Sequence, residues 1–195
     1  MIQIEQFSLN KHDRSSIAKL IFDSDIEMNS LVYGKKEEGI RIITELLAME
    51  NNYYNPQYVK LAIIEDEVIG VIVGYPLEQK QDLDKGTGLS YSKVMGTWAF
   101  LKKIPLYNKM GRITGGEMDQ KGYYIVAVCV DSNYQGTGIG RKLIEALHEN
   151  IIYLHININN QKAYDFYKRL GFNSKNKQFI THKGKKYGTF LMERK

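Results

Sequence analysis

This chain of 195 residues has few cysteines, few prolines and no long apolar run. Its single cysteine, Cys129, excludes an intrachain disulfide and is typical of a reducing compartment. Its 3 prolines and 17 glycines form no repeat, which excludes collagen-like and low-complexity chains. The longest apolar run, residues 123–130, has 8 residues, whereas a membrane-spanning helix needs about 20. We therefore expect a globular protein that does not enter a membrane.

The charge of the chain is modest and dispersed. A formal net charge of +5, from 27 basic and 22 acidic residues, would help to attract an anion but does not select nucleic acid over a phosphorylated cofactor. Because the basic residues are scattered, we expect no nucleic-acid partner. The 4 histidines show no metal-ligand spacing, so we expect no metal. The first residues show no basic stretch followed by an apolar core, which predicts a cytoplasmic location.

The length and the order of apolar patterns predict a single domain over residues 1–195. Alternating or continuous apolar residues predict strands, and an i, i+3, i+4 spacing predicts helices. The predicted strands cover residues 2–7, 59–64, 67–75, 123–130 and 151–157, followed by a hairpin over 172–193. The predicted helices follow Asp13 and Gly34 and cover residues 138–150 and 160–170.

Residues 76–121 interrupt this order with a weak pattern. The segment contains 6 glycines and an apolar group around Trp98, without sustained periodicity. We interpret it as an irregular, partly helical insertion with a flexible, glycine-rich end. Long segments of this kind inside compact domains are often lids or binding elements, so a substrate lid and a plain excursion are both open.

A glycine loop between a strand and a helix is the strongest chemical signal. The sequence Gln135-Gly-Thr-Gly-Ile-Gly140 would leave several backbone N–H groups free at the start of a helix, where a phosphate or pyrophosphate binds well. A P-loop would need Lys-Ser/Thr after the last glycine, and Arg141-Lys142 stands there. A dinucleotide fingerprint would need G-x-G-x-x-G and a later acidic residue, and both are missing.

This loop resembles the pyrophosphate loop of the GNAT acetyltransferase superfamily, which reads Q/R-x-x-G-x-G/A. A second stretch, from Asn160 to Phe172, is similar to the N-x-x-A-x-x-F-Y-x-x-x-G-F helix of that family. The resemblance is specific over residues 123–172. It implies an α/β fold with a mixed, mostly antiparallel sheet flanked by helices, splayed at the central strand 123–130. It also implies acetyl-CoA as co-substrate.

The family pattern assigns candidate residues for acetyl-CoA. Backbone groups of Val128, Cys129 and Val130 would pair with the pantetheine arm, and the Val128 N–H would be the oxyanion donor. The remaining implied contacts come from the loop and the second helix: Gln135, Gly136, Thr137, Gly138, Ile139, Gly140, Arg141, Asn160, Ala163, Phe166 and Tyr167.

Tyr167 is the candidate general acid. The family places this hydroxyl beside the thioester sulfur, where it would protonate the leaving thiolate. With an ordinary pKa of about 10 it is a proton donor at neutral pH. Its position on a stripe with Ala163, Phe166 and Leu170 also fits a purely structural core aromatic. Similarly, Asn160 could be a helix cap, a CoA contact or both.

The other catalytic groups are weakly marked. Cys129 lies in an apolar run without an identified base, which disfavours an acyl-enzyme. Glu117 and Asp119, just upstream of the central strand but inside the irregular segment, are the candidates for a general base. Either is as well explained as a solvated loop charge.

Together these signals predict an acetyl-CoA-dependent N-acetyltransferase that acts on a primary amine of a small molecule or peptide, by direct attack in a ternary complex. One alternative is a non-catalytic acyl-CoA-binding sensor or partner-binding module on the same fold. Another is a dinucleotide-binding module. The identity of the acceptor and the oligomeric state stay open, a homodimer included.

Overall fold

The computed structural model describes all 195 residues of the chain. Its strands are β1 (Gln3–Gln6), β2 (Val59–Ile64), β3 (Glu67–Pro76), β4 (Tyr123–Val130), β5 (Ile152–Asn157), β6 (Asn173–His182) and β7 (Lys185–Arg194). Its helices are α1 (Arg14–Asp23), α2 (Ile26–Tyr33), α3 (Lys36–Leu46), α4 (Lys80–Met95), α5 (Thr97–Ile113), α6 (Ile139–Glu145) and α7 (Gln161–Arg169).

The strands form one 7-stranded sheet in the order β1-β2-β3-β4-β5-β7-β6. All neighbours are antiparallel except β4 and β5, which pair in parallel. That parallel pairing covers only Tyr123–Ile125 of β4 and Ile152–Leu154 of β5. Beyond it the two strands separate, while β4 stays paired with β3 up to Val130. The predicted α/β fold, with a mixed sheet splayed at the central strand, is confirmed.

Each face of the sheet is covered by helices that bury an apolar stripe. On one face, α1 and α3 contribute Ile17, Phe22 and Ile43 to a core of 19 buried residues. On the other face, α6 contributes Leu143 and Ile144 to a core of 13 buried residues. Burying each such side chain contributes roughly 1.5–3 kcal/mol, so these stripes fix the helices against the sheet.

The structure differs from the sequence prediction in three places. The segment 76–121 is less irregular than expected, because α4 and α5 occupy residues 80–95 and 97–113, and its one long stretch without regular structure is residues 114–121. The buried face of α4 includes the polar residues Thr87 and Ser90, so the sequence of this helix shows only a weak apolar periodicity. The helix expected over 138–150 ends at Glu145, and α2 was not predicted. None of the helices has the length and apolar character needed to cross a lipid bilayer.

Candidate active site

The separation of β4 from β5 leaves backbone groups of β4 without a partner strand. At the start of β4 the Tyr123 N–H still donates toward β5, to the Ile151 carbonyl at 2.8 Å. Just after the end of β4 the Asp131 N–H donates toward β3, to the Ile69 carbonyl at 2.8 Å. Because peptide groups along a strand point to alternate sides, the N–H and C=O of Val128 point away from β3. They face the opening, where β5 no longer pairs with β4.

A β-bulge sets which side chains of β4 face each core. Val73 pairs with Ala127 and Gly74 pairs with Ile125, so Val126 is the extra residue. Val126 and Ala127 consequently both face the core beside α1. After the bulge, Val128 faces the core beside α6 and α7, and the strand bends away from β5.

A cavity of about 180 Å³ lies at this opening. Its floor is β4 from Tyr124 to Val128, and one wall is the last part of β5. The other walls come from elements distant in sequence. These walls include Asp25, Met28, Tyr54, Met110, Thr114, Asn160, Ala163 and Tyr167.

Tyr167 lies in the cavity wall and is 8% exposed. Its ring packs edge-on against Phe166 and Phe172, with centroids 5.0 Å and 5.3 Å away. Burial raises the pKa of the Tyr167 hydroxyl above its ordinary value. The hydroxyl therefore stays protonated at neutral pH, as a general acid must. Tyr167 thus packs in the core and also lines the cavity, so a structural role and a role as general acid are compatible.

The glycine loop presents an uncovered row of backbone donors. The N–H groups of residues 136–141 donate to no backbone carbonyl. Gly138 caps α6 in the left-handed conformation, at φ +86°, which a residue with a Cβ adopts at a cost. Gly140 has a different role, because a Cβ there would lie 3.1 Å from the Phe166 ring on α7. The loop is thus open outward at Gly138 and closely packed at Gly140.

Gln135 connects this loop to the central strand and to α7. Its Nε2 donates to the Val130 carbonyl at 3.1 Å, and its Oε1 accepts from Lys162 Nζ at 2.7 Å. Thr137 donates from its hydroxyl to the Tyr134 carbonyl at 2.6 Å. Lys162 was not predicted, although it lies within the second sequence motif. Its ammonium places a positive charge beside the uncovered N–H groups.

The other predicted contacts lie around α7 and α6. Asn160 caps α7, its side chain accepting from the Ala163 N–H at 3.0 Å, and both residues line the cavity. The structural role of Asn160 as a cap is therefore present. Arg141 is exposed in the first turn of α6 and Ile139 is buried beneath it.

Cys129 does not have the surroundings of a nucleophile. Its side chain packs toward the α1 core, on the opposite side of β4 from Val128. Burial raises the pKa of the thiol to about 11, so it is not ionised at neutral pH. Its Sγ lies 3.9 Å from the Val130 carbonyl.

The two acids considered as general bases lie outside the cavity. Glu117 and Asp119 are exposed, and neither is in its lining. The acid that does line the cavity is Asp25, just before α2. A sequence signal for its local role existed, since Asp before an apolar residue is a common helix cap. No local pattern could have connected it to a strand 100 residues later.

Two further polar residues of the cavity were not predicted. Tyr124 donates its hydroxyl proton to His155 Nδ1 at 2.8 Å, and His155 Nε2 donates to the Gly115 carbonyl at 3.1 Å. Burial lowers the pKa of His155 to about 4, so the ring is neutral at physiological pH. His155 consequently adds no positive charge to the cavity.

Buried tyrosine hydroxyls support the opposite wall. Tyr54 lines the cavity, and its hydroxyl lies 2.7 Å from that of Tyr33. Tyr33 in turn shares a hydrogen bond with Tyr91 of α4, whose hydroxyl lies 2.9 Å from that of Tyr53. Because each buried O–H has a partner, this network avoids a desolvation cost and ties α4 to the cavity wall.

Comparisons with known proteins identify relatives of this arrangement. A family model described as the acetyltransferase (GNAT) family matches residues 25–172. An N-acetyltransferase structure from Staphylococcus aureus Mu50 is 23% identical, covers 97% of this chain and 99% of its own, and has a TM-score of 0.68. No curated protein sequence matches the chain.

Two solved structures of similar fold contain the cofactor or its product. A GNAT family acetyltransferase from Elizabethkingia anophelis with acetyl-CoA bound is 14% identical, with coverage of 99% and 97% and a TM-score of 0.52. The NatC complex bound to Gag peptide and CoA is 17% identical, with coverage of 99% and 97% and a TM-score of 0.55. At these identities the likeness concerns the fold.

Proposed function

This chain belongs to the acetyltransferase (GNAT) family, and from that premise we propose that it transfers an acetyl group from acetyl-CoA to a primary amine of a small molecule or peptide. One observation carries the proposal. The backbone of Val128 and the hydroxyl-bearing ring of Tyr167 line one cavity at the opening of the sheet, and the glycine loop with its uncovered N–H groups follows the end of the same strand. A phosphate-bearing thioester needs groups of these three kinds.

In this proposal the cofactor is held largely by the backbone. The N–H groups of residues 135–140 would donate to the pyrophosphate, with Lys162 and Arg141 adding positive charge. The Val128 C=O and the Val130 N–H, which point away from β3, would pair with the amides of the pantetheine arm, whereas the Cys129 backbone predicted for this role faces β3 opposite Val71. The unpaired β4 edge supports this, because the arm would take the place that β5 leaves.

The residues of the opening would then act on the reacting atoms. As the amine nitrogen attacks, the C–N bond forms and the carbonyl oxygen gains negative charge. The Val128 N–H would donate to that oxygen, a role that contributes about 3 kcal/mol in other acyl-transfer enzymes. When the C–S bond breaks, Tyr167 would give its proton to the departing thiolate. Alignment of the two substrates would supply much of the remaining rate.

Direct attack, rather than an acyl-enzyme, is favoured by the state of Cys129. Burial keeps its thiol protonated. Its side chain lies on the face of β4 that packs against α1, opposite the face that packs against Tyr167. No other cysteine exists in the chain. Kinetics with both substrates varied should accordingly show intersecting rather than parallel lines in double-reciprocal plots.

The segment 76–121 would border the acceptor. Met110 of α5 and Thr114 just after it both line the cavity. We propose that this part of the segment contacts the amine substrate, and the lid role predicted from the sequence belongs to the same proposal. Amide hydrogen exchange tests it: exchange over residues 105–122 should slow when an amine substrate is added to the CoA complex.

A screen of primary amines with acetyl-CoA, measuring the released thiol, tests the function itself. Amine-dependent release above the rate of hydrolysis supports the transferase. Tight acetyl-CoA binding without turnover of any amine would instead support the non-catalytic sensor. Displacement of CoA by NAD at similar concentration would support the dinucleotide-binding module. The cytoplasmic location and the homodimer stay predictions.

A further inference from the structure

One ionisable acid faces the cavity at the opening of the sheet. Among the residues that line it, Asp25 is the only carboxylate, and no lysine or arginine is present. His155 of β5 also lines the cavity and is neutral because burial lowers its pKa to about 4. Tyr54 and Tyr167 stay protonated, since burial raises the pKa of each hydroxyl. No cation in the cavity lining therefore compensates Asp25.

The hydrogen bonds of Asp25 hold its carboxylate at the start of α2. Met28 N donates to Oδ1 at 3.0 Å as the cap of α2, and Asn157 Nδ2 lies 3.4 Å from the same oxygen. Burial raises the pKa of this carboxylate above its ordinary value, while the Met28 and Glu27 N–H groups at the start of α2 stabilise its charged form. These bonds fix the carboxylate in the wall of the cavity.

A second layer of contacts holds this carboxylate in place. Asn157 Nδ2 also donates to Glu27 Oε2 at 2.7 Å, and Asn159 Nδ2 donates to the same oxygen at 3.1 Å. Lys185, from the β6–β7 hairpin, lies 2.6 Å from Glu27 Oε1. Lys185 consequently compensates the charge of Glu27, not that of Asp25.

We propose that the Asp25 carboxylate binds the protonated amine of the acceptor and serves as the general base that removes its proton. This role rests on the proposed acetyl transfer. The nitrogen loses two protons when an ammonium becomes an amide. Asp25 takes one and later releases it to water. The second replaces the proton that Tyr167 gives to the thiolate, so that Tyr167 is restored and the products are amide, free CoA thiol and one proton.

The same geometry defines the class of acceptor. A single carboxylate without a cationic neighbour in the cavity favours a cationic group and disfavours an acidic one near the nitrogen. The cavity also includes Met28 and Met110, which would contact the carbon chain. A small primary amine with an apolar chain, and no carboxylate beside the nitrogen, fits both features.

Asp25→Asn tests this role, because asparagine keeps the oxygen that caps α2 but loses the charge and the basicity. The probes are n-butylamine, benzylamine and glycinamide, assayed from pH 7 to 9.5 with saturating acetyl-CoA. At pH 7 we expect kcat/KM for the best amine to fall about 100-fold. The loss should shrink at least tenfold by pH 9.5, because the free amine becomes abundant near its own pKa of about 10. A structural defect would not show this dependence.

Asp13→Asn is the matched control. Asp13 caps α1, accepting from Ser15 N and Ser16 N, and is not in the lining of the cavity. This variant should keep kcat/KM within twofold, and calorimetry should give both variants the acetyl-CoA affinity of the wild type. A loss by Asp25→Asn of less than twofold, or one that is constant with pH, overturns the role of Asp25. A wild type that binds acetyl-CoA but acetylates no amine overturns the transferase, and this role with it.

Discussion

The two sides of the cavity are built in different ways. The proposed cofactor side comes from residues 123–172, a continuous stretch in which the proposed binding groups are mostly backbone N–H and C=O. The proposed acceptor side comes from side chains of separate elements: the loop before α2, α5, β5 and the turn after α3. Backbone groups require glycine and a fixed loop shape, whereas side-chain groups require that distant elements pack correctly. The first kind of site leaves a local sequence pattern and the second does not.

The largest effect should come from the cofactor side, where a single residue can block the backbone donors. Gly138→Asp adds a side chain and a negative charge beside the N–H groups proposed to hold the pyrophosphate. We expect the affinity for CoA to fall by at least 100-fold, measured by calorimetry, because charge repulsion replaces hydrogen bonds that contribute about 1.5–3 kcal/mol each.

Gly138→Asn is the control for this variant. Asparagine has nearly the same shape and tolerates the left-handed conformation of residue 138, at φ +86°. It should therefore lose much less affinity than the aspartate variant. If a folded Gly138→Asp protein binds CoA as well as the wild type, the glycine loop is not the pyrophosphate site.

Tyr167 joins the two sides, and its hydroxyl should affect rate without affecting binding. Tyr167→Phe keeps the ring that packs against Phe166 and Phe172. We expect single-turnover acetylation at saturating cofactor to slow about 100-fold, the low end of general acid catalysis, because a thiolate is a tolerable leaving group. CoA affinity and thermal stability should stay within error. A rate within twofold of the wild type would leave Tyr167 only its structural role.

The acceptor side depends on how α4 docks, which two neighbouring glycines can test. A Cβ on Gly86 would lie 1.7 Å from the Asn51 carbonyl oxygen, so the backbone of α4 must move. Gly86→Ala should cost about 3 kcal/mol of unfolding free energy. On Gly88 the nearest atom is Phe100 Cζ at 3.9 Å, so Gly88→Ala should gain up to about 1 kcal/mol from helix propensity. Urea unfolding of both variants gives the comparison, and equal effects would contradict close docking of α4.

The smallest effect concerns the ion pair that supports the acceptor side. The hydrogen bond from Lys185, aided by Asn157 and Asn159, lowers the pKa of Glu27 from 4.5 to about 2. Because the folded-state pKa is depressed, this stabilisation is complete above about pH 4.5 and is lost as the pH falls toward 2. Solvent screening of a surface pair limits the contribution of Glu27 to about 1 kcal/mol.

Urea unfolding of the wild type and Glu27→Gln at pH 6 and pH 2 checks this. The difference in unfolding free energy should be largest at pH 6 and close to zero at pH 2. A difference that does not change with pH would mean that the Glu27 carboxylate stabilises the fold through packing and neutral hydrogen bonds.

The sequence by itself determined the family, the order of most strands and helices, and the identity of the glycine loop and of the α7 motif. These features are local, because a turn, a cap or a set of free N–H groups is specified by a few consecutive residues such as Gln135 to Gly140. The apolar stripes of α1 and α3 were equally visible, since one buried face has a fixed period.

Only the tertiary structure decided the proposed acceptor side. It brought Asp25 to the cavity that Tyr167 lines, and it left Glu117 and Asp119 outside the cavity lining. It paired Glu27 with Lys185. It also formed α4, in which the buried polar residues Thr87 and Ser90 weaken the apolar stripe and Gly86 lies close to Asn51. The physical reason is that the charge, burial and partners of a side chain depend on elements that meet only when the sheet assembles, whereas backbone donors at a glycine turn depend on their immediate neighbours.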